Sequence, residues 1–367
     1  MNLRGTWKYY HSGNSPLPEG MHIRYITACP EGHIWAAIHQ VIIRKVKGAE
    51  YFDGLTHGLM KYHQNQWHLY LVGEAGLPSS LGKMSMLLMA CDDIGRLWMY
   101  LMPNSSRHIL CCYNGSASKL FLAGKNGLPD SVSVYAFTFD TQNRCWAIMG
   151  PAGVYYFDGT IWQKSTIMDF VPKNSWITHG TCNHKGQLCF AIQSPTSTKF
   201  VKQVSDGQYE NLAEMPFGYM NSLVKALRFD SNDLLWVGCD DYSDDSNFVL
   251  FVLDPQGNSR SYTNKNSAFP DNQIRDIAVD NKGRVWVASG MGLTIFDKDE
   301  SVNWGFVMPN IPHKPISMEA ISPNLDNVDD DSLVTVGTQV VSDNIDHVWS
   351  ISHSGVSEFS EVYEMRY

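Results

Sequence analysis

Apolar residues in this chain fall in short runs broken by Gly, Asn, Asp and Pro. Positions 279–287, VDNKGRVWV, show the unit: an apolar run meets Asp280, turns through Gly283 and resumes at Trp286. That pattern predicts two antiparallel strands joined by a tight turn. Asp280 can accept a backbone N–H as the turn begins, and Gly283 supplies positive φ without a Cβ clash.

The unit recurs seven times, with anchors at Trp35, Trp98, Trp146, Cys189, Trp236, Trp286 and Trp349. Three residues before them stand Gly32, Gly95, Asn143, Gly186, Asp233, Gly283 and Asp346, all types that tolerate a left-handed turn. Six residues before them stand Cys29, Asp92, Asp140, Asn183, Asp230, Asp280 and Asp343. Each hairpin is preceded by an apolar–Pro pair: Leu17-Pro18, Leu77-Pro78, Leu128-Pro129, Val171-Pro172, Met215-Pro216, Phe269-Pro270 and Ile311-Pro312. Proline cannot donate to a strand ladder, so these pairs belong in the links between units. A Gly-apolar-x-x-aromatic third strand follows several anchors, as at Gly153–Phe157 and Gly292–Phe296, and Trp67, Trp162 and Trp304 mark a fourth. Four strands per unit and anchor spacings of 63, 48, 43, 47, 50 and 63 predict one all-β domain over 1–367, a seven-bladed β-propeller.

The run Leu-Pro, then I-x-x-D-x-x-G-x-x-W, then Gly-Leu-x-x-Phe/Tyr resembles the two-component regulator propeller repeat family. That resemblance implies a sensor or ligand-binding propeller, often the periplasmic part of a membrane histidine kinase. This chain carries no kinase segment to match.

A ring needs closing. Trp7-Lys8-Tyr9-Tyr10 precedes Leu17-Pro18 as Trp67 precedes Leu77-Pro78, so residues 6–10 are expected to complete the blade around Trp349. The competing reading lets 362–367 supply that strand. The two stretched spacings locate insertions at 40–57, between second and third strands, and at 313–332, before a first strand. Both should rise on one face, because those two connections leave the same end of a blade. Long loops on a rigid scaffold commonly carry binding, so this face is the candidate site; plain surface loops are the bland alternative.

Composition narrows the chemistry. The formal net charge is −9, which excludes a basic footprint for nucleic acid. No run of apolar residues is long enough to insert in a membrane, and no signal peptide is visible, so a cytoplasmic location is expected, or a periplasmic or extracellular one if a leader has been removed. The 8 Cys form no C-x-x-C pair and are expected to be reduced, buried thiols. Eleven residues before the anchors lie Arg24, Leu87, Tyr135, Thr178, Lys225, Arg275 and Thr338. The cations among them, with Tyr25, Tyr135, Trp176 and His179, are the candidate ligand-binding residues: Arg24, Tyr25, Tyr135, Trp176, His179, Lys225 and Arg275. Guanidinium groups beside aromatics suit an anionic or sugar-like small ligand, or a protein partner; pairing with neighbours such as Asp276 is the structural alternative.

Asp240–Asp245 and Asp326–Asp331 match no calcium-loop spacing and read as solvated loop charge. His57, His63 and His68 form no zinc pattern. His179 and His353 could serve an acid–base reaction, as in propeller lyases that open cyclic esters, yet no motif supplies a partner, and no nucleophile or cofactor motif is present. Tyr51–Gly54 and Tyr156–Gly159 share Tyr-Phe-Asp-Gly, read as an outer-strand turn. A non-catalytic recognition module is therefore expected, with a lyase or hydrolase in the axial funnel as the alternative.

Overall fold

A computed structural model describes residues 5–361, except 11, 31, 47–48, 104–107, 219, 221, 242–248, 263–265, 269–273, 290–291, 298–299, 304–339, 343–346 and 353–354. The described strands form seven antiparallel four-stranded sheets. Their innermost strands are Met21–Ala28, Met84–Cys91, Ala136–Phe139, Trp176–Cys182, Ser222–Phe229, Ile274–Val279 and Val340–Ser342. Each packs beside the innermost strand of the next sheet, and Val340–Ser342 returns to Met21–Ala28. The fold is a β-propeller with four-stranded blades.

The repeat has a physical cause. Every anchor pairs with the same position of its innermost strand: Thr27, Ala90, Thr138, Thr181, Arg228, Ala278 and Val341. All seven anchors are at most 3% exposed, so each fills the space between neighbouring blades. The aspartate six residues earlier does two jobs. In the 280–286 unit, Oδ1 accepts the Lys282 and Arg284 amides, while Oδ2 accepts the Trp286 indole N–H at 2.9 Å and Arg284 Nε at 2.6 Å. Asp92 and Asp140 repeat this arrangement with Arg96–Trp98 and Arg144–Trp146. Sequence spacing assigns the aspartate to the turn and the tryptophan to packing; the structure shows that one carboxylate fastens both. The six described residues three before the anchors have φ between 58° and 81°.

Ring closure follows the first of the two expected routes. Gly5–Tyr10 pairs antiparallel with Gly355–Glu361 as the outer strand of the Trp349 sheet, Trp7 opposite Phe359. Tyr10 then stacks on Trp349 at 6.0 Å, meets Tyr62 and Trp67 edge-on or tilted at 5.7 Å, and donates to Tyr62 Oη. Residues 362–367 and the 313–332 insertion lie outside the described residues. The 40–57 insertion is not a loop: strands Ile34–Val46 and Ala49–His63 extend through it as a paired hairpin. Asp53 stands opposite Ile42 there, so Tyr51–Gly54 lies inside a strand. Only the second copy is the expected turn, with Asp158 Oδ1 accepting the Thr160 and Ile161 amides.

Cys29 is the repeat-one residue that departs from Asp or Asn, and the structure gives the reason. It forms a disulfide with Cys91, 62 residues later in the neighbouring blade, with Cα atoms 5.4 Å apart. The expectation of reduced thiols is corrected for this pair; Cys111, Cys145, Cys189 and Cys239 are buried and outside any disulfide. Closing a loop of that length confers about 2–4 kcal/mol. Reduction should lower the urea midpoint accordingly, and Cys29→Ser should abolish the difference between oxidised and reduced protein. Among the described residues, no helix is long and apolar enough to cross a membrane.

Candidate functional site

The residues eleven before each anchor have a structural signature of their own. Five of the seven innermost strands bulge there, and the unpaired residue is Arg24, Leu87, Thr178, Lys225 or Arg275. A bulge adds one residue, bends the strand and re-aims its side chain. Arg24, Lys225 and Arg275 thus occupy the same bulge position in three different sheets. Tyr135 precedes its strand, hydrogen-bonded through its amide to Ile148, with its ring against Gly150; it is 47% exposed. Trp176 opens its strand opposite Gln193 and is half-buried. Thr338 is outside the described residues.

The structure collects these residues into local groups. In the first blade, the exposed Arg24 guanidinium lies 5.7 Å over the Tyr25 ring, and Tyr25 meets the His39 ring edge-on at 6.2 Å. Burial pushes the Tyr25 pKa up, with Arg24 opposing. His39 is 2% exposed, and neither ring nitrogen has a hydrogen-bond partner. Burial first, and Arg24 second, push its pKa down to about 3. Its register partner Thr56 also keeps an unpartnered, buried hydroxyl.

The second group joins the fourth, fifth and sixth sheets. Burial, then Arg228 and Lys225, push His179 down to about 3, and its Nδ1 is buried without a partner. Lys225 Nζ lies 3.5 Å from Asp240 Oδ2. Asp240 is 4% exposed inside strand Leu235–Asp241, so the expectation of solvated loop charge fails for it; residues 242–248 and 326–331 are outside the described residues. Arg228 reaches Asp276 at 3.7 Å. Burial raises the Asp276 pKa and Arg228 opposes it. Arg275, exposed, stands beside Asp276 on the next blade.

His39 and Gln193 were missed by reading the sequence, and Asp240 was read there only as loop charge. All three lie four positions after an anchor. Gln193 is fully buried and bridges blades, accepting from the Val224 amide and donating to Ser222 O. A polar residue at anchor plus four, inside an apolar run, was the available signal. Buried polar groups usually need partners, so each marks where a second strand reaches an innermost one.

The histidines elsewhere do not converge. His33 and His63 pack edge to face at 4.2 Å. His184 Nδ1 contacts Asp233 Oδ1 at 3.0 Å on the opposite, hairpin-turn face. Among the described residues there is no group of three residues able to hold a metal ion. His353 lies outside them.

A family model described as two component regulator propeller matches residues 268–291. No curated protein sequence matches the chain. Among solved structures, virginiamycin B lyase from Staphylococcus aureus is similar at TM-score 0.64 and 10% identity, covering 98% of this chain and 100% of that one. The extracellular domain of the system BT4673 from B. thetaiotaomicron is similar at 0.60 and 15% identity, covering 100% of this chain and 41% of that one. YCF48 from Cyanidioschyzon merolae is similar at 0.57 and 12% identity, covering 96% and 98%. At such identities the likeness establishes the propeller fold alone.

Proposed function

We propose that the seven sheets are the blades of a single closed ring, and that this ring is a non-catalytic recognition module. It acts through the face bearing the 40–57 hairpin and the 313–332 segment, and takes an anionic or sugar-like small ligand or a protein partner. The observation carrying this reading is the shared β-bulge, which sets Arg24, Lys225 and Arg275 at the same position in three different sheets. Repeated backbone devices that re-aim side chains are a feature of binding rims. The matched propeller repeat and the similarity to an extracellular domain support it.

The alternative, a lyase or hydrolase, needs a base near neutral pKa with a polar partner. His39 and His179 are both pushed to about 3, by burial and by cations, and neither is paired with a carboxylate. Imidazoles so placed stay neutral and weakly basic at physiological pH, so neither His39 nor His179 meets that need. The similarity to a lyase concerns fold, and propellers host both classes. The Cys29–Cys91 disulfide favours an oxidising compartment over the cytoplasm for this chain.

A thermal-shift screen of anionic sugars and nucleotides tests the reading. A ligand at a hundred times its Kd should stabilise by about 2.7 kcal/mol. Replacing Arg24 and Arg275 with Ala should each weaken it about tenfold, as charge-assisted hydrogen bonds of about 1.5–3 kcal/mol are lost. Unchanged affinity in both variants would remove this face from consideration.

A further inference from the structure

The opposite face, where first and second strands turn into each other, holds an open cleft of about 490 Å³ on the ring axis. We propose that this cleft is a second binding site, for a neutral polyhydroxylated ligand of mono- to disaccharide size. Its volume falls within the range of small-molecule pockets. It is built by the residues in register with the anchors: Thr27, Ala90, Thr138, Thr181 and Arg228, one from each of five consecutive blades, line it. These partners lie on the same sheet face as the anchors, one strand nearer the axis.

The chemistry of the lining selects the ligand. Thr138 and Thr181 are 7% and 6% exposed, and among the described residues their hydroxyls have no protein hydrogen-bond partner. Hydroxyls that open on a cleft and have no protein partner can both donate to and accept from a ligand. Thr27 Oγ1 accepts the Cys91 amide at 3.1 Å and so keeps its hydrogen free to donate. Asp93, at the rim, has a carboxylate without a hydrogen bond or ion pair among the described residues. Phe137 and Phe139 add half-buried ring surface, which suits the C–H faces of a sugar.

The remaining charges are already matched. Arg228 faces Asp276 at 3.7 Å, Asp140 holds Arg144 at 2.6 Å, and His184 meets Asp233 at 3.0 Å. An anion would meet Asp93, and a bare cation would meet the Arg228 guanidinium, which also lines the cleft. A neutral ligand rich in hydroxyls satisfies the cleft without importing charge.

The test is titration calorimetry with D-glucose, maltose and cellobiose at up to tens of millimolar. It compares the parent chain, a Thr138→Val/Thr181→Val pair and the Arg24→Ala/Arg275→Ala pair. Valine keeps the shape of threonine and removes only the hydroxyl; unfolding midpoints of all three proteins confirm that each is folded. Saturable binding of at least one sugar is expected, weaker by about fivefold per lost hydroxyl and about 25-fold in the valine pair. Sugar binding lost in the arginine pair and kept in the valine pair would belong to the other face and would overturn the proposal. The proposal is overturned if none of the three sugars binds, if the valine pair binds as tightly as the parent, or if binding is confined to the charged probes glucose 6-phosphate or glucosamine. Anion binding lost only in the arginine pair would belong to the other face, so the two readings fail separately.

Discussion

Asp280→Ala should destabilise the protein by about 3–5 kcal/mol, measured by urea unfolding with its slope checked for constancy. The carboxylate is buried and serves four donors at once: two turn amides, the Trp286 indole and Arg284 Nε. Arg284 is itself only 4% exposed, so removing Asp280 takes the ion pair away from a buried cation. Asp230 offers an internal comparison. It holds the Asn232 and Leu234 amides and the Trp236 indole, but Leu234 stands where the arginine would be. Asp230→Ala should therefore cost less, about 1–3 kcal/mol. Equal losses in the two variants would show that the buried ion pair adds nothing beyond the turn and the indole.

Acid should destabilise the fold through His39 and His179 well before the carboxylates titrate. Both pKa values are pushed from 6.5 down to about 3 in the folded chain. Below pH 6.5 the unfolded chain takes up these two protons while the folded chain does not. Stability is therefore full above pH 6.5 and falls as pH drops from 6.5 toward 3. At pH 5 each histidine costs about 2 kcal/mol relative to pH 7.5. Asp276 works the other way, because burial raises its pKa and favours the protonated, folded form in acid. His39→Leu removes a buried ring with two unpartnered nitrogens, so it should raise the melting temperature at pH 5 and flatten the acid slope. A variant as acid-sensitive as the parent would mean that His39 protonates within the fold.

Much of the architecture was legible because each repeat solves the same local problem. Asp, Gly and Trp at fixed offsets state a turn, a left-handed residue and a plug between blades. The bulge positions were also legible, as the residues eleven before the anchors, but not the reason for them. Arg24 and Lys225 look alike in sequence. Folded, one lies over a tyrosine ring and the other faces a buried aspartate. Which partner meets which cation depends on the second strand and on the next blade, neither of which is near in sequence. The 40–57 segment misled for a related reason: its alternation is compatible with strand, yet only pairing across the hairpin makes it one.

The chain by itself determined the periodic features: blade units, hairpin turns, buried anchors and the N-terminal strand that closes the ring. Those follow from local backbone preference and from apolar spacing, which act over a few residues. Tertiary structure decided what no spacing could state. It joined Cys29 to Cys91 across two blades and turned Asp240 from loop charge into a buried counter-ion. It also assembled the axial cleft from residues of five blades. These contacts link residues tens of positions apart, and their energies exist only once the ring brings those residues together.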